Sequence, residues 1–103
     1  MVNDLGLPEH VLVDIINILR HYPEIYCAKV FGSRAKGNYK RYSDVDIAVF
    51  AKTDKGLTQN VKDSLEDLET IYKFDVIHYD KLSNEEIKAH IDRVGVEFYT
   101  SSV

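Results

Sequence analysis

Between Pro8 and His21, Val11, Leu12, Ile15, Ile16 and Leu19 recur at helical spacing. Pro8 suits the first turn of that helix, and Pro23 blocks its continuation. Ile25 to Phe31 concentrates β-branched and aromatic residues in a run too short for a typical helix, which predicts a strand ending at Gly32-Ser33. Arg34 to Lys36 predicts a brief helical turn with Ser33 as its cap and Gly37 as its stop. Asn38 to Ser43 shows no period and reads as a loop. Asp44 to Phe50 then alternates, with Val45, Ile47 and Val49 on one face and both aspartates on the other, the pattern of a second strand. After a polar turn over Ala51 to Gly56, the stripe Leu57, Val61, Leu65, Leu68, Tyr72 predicts a second long helix. Lys73 to Tyr79 reads as a third strand. Asn84 to Arg93 reads as a helix capped by Ser83 or Asn84 that buries Ile87 and Ile91. Gly95 closes it, and Val96 to Tyr99 adds a short edge strand.

That order, with strands and helices intermixed, predicts a small mixed β-sheet with helices packed on it, an α/β or α+β fold. At 103 residues the chain has room for one domain, 1–103. Its 45% hydrophobic and 29% charged residues are those of a globule that buries a core, and they exclude a disordered chain. No apolar run approaches the roughly 20 residues that span a bilayer. Met1 to Gly6 lacks the basic segment and apolar core of a secretory signal, and the one cysteine, Cys27, permits no internal disulfide. The cytoplasm is the expected location, with no membrane partner.

A net charge of −4 argues against binding a long nucleic acid through its phosphates. The charge is uneven, however: Lys29, Arg34, Lys36, Lys40 and Arg41 form an island without an acid between Lys29 and Ser43. An island of this size suits a few phosphates or simply a solvated loop.

Three features near the second strand carry candidate chemistry. Asp44 and Asp46, two apart in an extended chain, project from one face with Cα atoms roughly 6.5 to 7 Å apart. Paired carboxylates repel unless something neutralises them, and magnesium does so while keeping sites for water and substrate phosphates. Gly32-Ser33 opens a helical turn where the backbone can approach a phosphate closely and the hydroxyl adds a donor. Asp75 is an acid inside an apolar strand, costly there unless paired, coordinated or facing an open side. Each feature alone also has a plain structural reading, as turn residue, cap or solvated strand position. His10, His21, His78 and His90 show no metal-ligand spacing, and Cys27 reads as core.

Together, Gly32-Ser33-Arg34-Ala35-Lys36-Gly37, Ser43-Asp44-Val45-Asp46-Ile47-Ala48-Val49 and Phe74-Asp75-Val76-Ile77 resemble the signature of the minimal nucleotidyltransferases, small relatives of the polymerase-β type nucleotidyltransferases. The resemblance implies a nucleotidyltransferase fold and transfer of a nucleoside monophosphate with release of pyrophosphate. It implies that Gly32, Ser33 and Arg34 bind the nucleotide, ATP in the first instance. It further implies that Asp44, Asp46 and Asp75 ligate two magnesium ions, with Asp75 helping to deprotonate the acceptor. Lys36, Lys40 and Arg41 are candidates to steady the triphosphate, and Tyr39 and Tyr42 to stack on a base or cover the loop.

Larger transferases of this kind append a domain that holds the acceptor, and no such segment is recognisable after Asp75. The expected acceptor is therefore another molecule. Small members resemble antitoxins paired with an all-helical HEPN-type ribonuclease, which implies AMP transfer to a tyrosine of that partner. Two other readings stand beside it: a non-catalytic module that neutralises or positions a helical partner by contact, and transfer to a small molecule.

Overall fold

A computed structural model describes residues 5–53 and 56–101. The opening Met1 to Asp4, and Asp54 and Lys55 of the expected turn, lie outside the described residues. Along the chain run α1 (Glu9–Arg20), β1 (Ile25–Phe31), α2 (Gly32–Lys36), β2 (Val45–Ala51), α3 (Leu57–Glu66), β3 (Phe74–His78), a 3-10 turn (Tyr79–Lys81), α4 (Glu85–Val94) and β4 (Val96–Thr100). The strands form one mixed sheet in the order β3-β2-β1-β4. β1 pairs antiparallel with β2 and β4, whereas β2 and β3 run parallel. A parallel pair needs a crossover, and α3 supplies it. The expected mixed sheet with packed helices is the observed fold.

One face of the sheet carries the core. Val45, Ile47 and Val49 of β2 and Phe74 and Val76 of β3 pack with Val11, Ile15 and Leu19 of α1 and Leu57, Val61 and Leu65 of α3. The alternation of each strand sends Asp46, Phe50, Asp75 and Ile77 to the opposite face, which α4 covers only in part.

Three expectations need correction. The apolar stripe to Tyr72 predicts a helix longer than α3, which ends at Glu66. Glu66, Asp67 and Glu69 crowd its C-terminus, where the helix dipole disfavours negative charge, and the chain tightens into a turn with Leu68 N–H donating to the Leu65 carbonyl at 3.1 Å. Leu68 and Tyr72 still pack against the core, which explains their place in the stripe. Ile87, expected inside, is 38% exposed, while Ile91 one turn later is fully buried. Cys27 lies half-buried rather than in the core, its thiol donating to Glu97 Oε1 at 3.2 Å. Burial, then the bond to Glu97, pushes that thiol up to about 12, so it is not a reactive thiolate.

Candidate active site

Asp46 stands in the middle of the open face because its neighbours Val45 and Ile47 are drawn into the core. The strand register sets Phe31 opposite it on β1 and Asp75 opposite it on β3. Adjacent strands lie about 4.8 Å apart, so the second and third acids are lateral neighbours. Asp44 is exposed and sits one residue ahead of β2, at the mouth of the same strand.

Gly32 follows β1 directly and adopts φ +73°, a conformation that costs glycine little and other residues more. A β-carbon there would collide with Asp46 Oδ2. The glycine thus lets the turn close on the carboxylate, and the same turn starts α2. Ser33 lies within α2 rather than capping it; the N-cap is Phe31, with no side-chain cap bond. Gly37, at φ 85°, closes α2 as expected.

Burial first, then Asp75 and Asp44, raise the affinity of Asp46 for its proton. Two further acids beside one half-buried carboxylate form a site short of positive charge. Among the described residues no three His, Cys, Asp or Glu side chains close into a ready-made metal cage. The donors are nevertheless all carboxylate oxygens, and a magnesium ion takes one or two such carboxylates and completes its shell with water and phosphate. The residues present fit that ion.

Sequence reasoning missed His90. From α4 it reaches over the glycine turn, where its Nε2 accepts the Gly32 N–H at 3.2 Å, and its ring meets Phe31 edge-on at 6.1 Å. With Phe31, Gly32, Asp75, Ile77, Glu86 and Ile87 it lines a cleft of about 300 Å³. A lone histidine on a helix carries no spacing signal that could have singled it out.

Arg34 lies elsewhere than the sequence suggests. It is 1% exposed, and its guanidinium donates to the carbonyls of Leu5, Arg41 and Ser43. With its donors turned inward it is not placed to contact a nucleotide. Tyr39 covers that guanidinium at 5.2 Å, which accounts for the ring as a lid over Arg34 rather than a base-stacking platform. Lys36, Lys40, Arg41 and Tyr42 are exposed, the last with the Arg41 guanidinium 5.4 Å from its ring.

The profile of a family described as polymerase beta, nucleotidyltransferase matches residues 14–102, which include every acid of the site. Several solved structures share the fold. A toxin–antitoxin crystal structure with AMP-PNP superposes with a TM-score of 0.73 at 22% identity, covering 88% of this chain and 74% of that one. A tri-AMPylated Shewanella oneidensis HEPN toxin in complex with MNT antitoxin gives 0.69 at 19% identity, over 90% and 72% of the two chains. A nucleotidyltransferase-like protein from Sulfolobus solfataricus gives 0.52 at 22% identity, over 94% and 80%. No curated protein sequence matches the chain.

Proposed function

The chain belongs to the polymerase β nucleotidyltransferase family, and from that premise we propose that it transfers AMP from ATP to a hydroxyl of a partner protein, a tyrosine of a HEPN-type helical toxin that it silences as antitoxin. The observation that carries this reading is Asp46, held between Asp75 on the parallel neighbour strand and the glycine turn that closes on it. Acids brought together at the cost of mutual repulsion serve a cation-dependent reaction better than they serve stability.

Asp44 and Asp46 would hold magnesium, two ions in the full site, with Asp75 as a further ligand. When bound, magnesium supplies compensation for charge developing on the entering and leaving oxygens of an in-line displacement at phosphorus. The chain's own groups do the rest. Gly32 and Ser33 bind the terminal phosphates through backbone approach and hydroxyl. Asp75 accepts the proton of the acceptor hydroxyl. The bond from the α-phosphorus to the acceptor oxygen forms, the bond to the bridging oxygen of the β-phosphate breaks, and pyrophosphate leaves. The choice of a protein acceptor draws on the AMPylated HEPN toxin found with an MNT antitoxin among the structural relatives.

Incubation of the purified chain with α-labelled ATP and magnesium in a lysate of its source cells tests the reading. One labelled protein band, lost with Asp44→Asn, is the expected result. Absence of label in any protein, or label unchanged by Asp44→Asn, overturns it.

A further inference from the structure

Arg34 is a fully buried cation on a short helix. An ionised group taken out of water is costly unless its donors are satisfied. Here they are. One terminal nitrogen donates to the Leu5 carbonyl at 2.7 Å. Nε and the other terminal nitrogen donate to the Ser43 carbonyl at 3.2 and 3.0 Å, and the latter also reaches the Arg41 carbonyl at 3.3 Å. The rings of Tyr39 and Tyr72 lie 5.2 and 5.0 Å from the guanidinium carbon, within cation–π range.

Arg34 and two of these partners stand next to or near parts of the candidate site. Arg34 itself follows Ser33 of the glycine turn. Ser43, which takes two of its N–H groups, directly precedes Asp44. Tyr72 stands three residues ahead of Asp75, and Tyr39 sits in the loop that joins α2 to β2. A planar guanidinium with five donors in fixed directions can hold several segments in one mutual arrangement, which a flexible ammonium with its donors on one atom cannot. Granting the transfer activity proposed for the three acids, we infer that Arg34 is a positioning residue, which sets Asp44 and the approach to Asp75 relative to Gly32-Ser33 without touching the nucleotide. Its positive charge is directed into the protein. The loop is therefore anchored at Ser43, just before Asp44 and the start of β2 at Val45.

Arg34→Lys, which keeps the charge and removes the planar fork, tests this together with the apolar Arg34→Met. Amide hydrogen exchange, read without metal or nucleotide, should quicken about tenfold or more over residues 39–45 in Arg34→Lys, with α1 and β1 unchanged. In transfer assays kcat should fall about 100-fold while KM for ATP stays within about threefold, the signature of misplaced groups rather than a lost substrate contact. A rise in KM at constant kcat overturns the positioning role in favour of a nucleotide contact. Unchanged exchange over residues 39–45 overturns it as well, and so does global unfolding of both variants, which would make Arg34 a support of the whole fold. If the wild-type chain transfers nothing, the proposed activity fails, and the exchange pattern still decides whether Arg34 holds the Asp44 approach.

Discussion

Asp46 carries the physical conflict of this protein. Burial raises the affinity for its proton, and Asp75 and Asp44 raise it further. A carboxyl that holds its proton more tightly folded than unfolded stabilises the fold at pH below its unfolded value, and that contribution is lost as pH rises through the folded value. In buffer free of divalent metal, Asp46→Asn should therefore raise the melting temperature at pH 7, and the gain should shrink toward zero below about pH 4, where the unfolded carboxyl is itself protonated. Thermal unfolding at the two pH values checks this; a variant less stable than wild type at pH 7 would mean that the acids are not in electrostatic conflict. Asp46 and Asp75 could be picked out from the sequence as acids at alternate positions of otherwise apolar strands, and Asp44 from its place two residues ahead of Asp46. The roles of Arg34 and His90 could not. Their partners lie at separations in the chain, from Leu5 to Arg34 and from Gly32 to His90, that no local pattern encodes.

Helix α4 forms the far wall of the cleft, and its start depends on a single cap. The Asn84 side chain accepts the N–H groups of Glu86 and Ile87 at 2.9 and 3.1 Å, with Glu85 and Glu86 placed favourably in the first turn. Asn84→Ala should cost about 1 kcal/mol in urea unfolding. The cap was among the expected choices at this helix start, because the residue types that bond the first turn are few. The end of α3 was misread, since an apolar stripe records which residues meet the core and not whether the backbone between them stays helical. Tyr72 keeps its place in the stripe from outside the helix, its N–H donating to Thr70 Oγ1 at 3.2 Å.

For the whole molecule, the packed core and the candidate site lie on opposite faces of one sheet. The core of α1, α3 and the inward strand positions supplies burial, and the open face beneath α4 holds the acids. Leu19→Ala, at a fully buried position of α1, should destabilise the fold by about 2 to 5 kcal/mol through lost burial and a residual cavity. The transfer rate per folded molecule should stay within about twofold of wild type, since sites that share no partners act independently. A loss of rate in the fully folded variant would show that the core is coupled to the open face. Among the described residues no helix is long and apolar enough to cross a membrane.

Apolar spacing, turn residues and the order of the elements were enough to specify the type and order of the elements and the face on which Asp46 and Asp75 stand, though not where α3 ends, because those properties follow from the chain within a few residues. Folding alone settled that β2 and β3 run parallel with Asp46 beside Asp75, and that the glycine turn closes on Asp46. It also turned Arg34 inward to hold the Asp44 approach and brought His90 over Gly32. These are contacts between distant segments, and they come into being when the core draws those segments together.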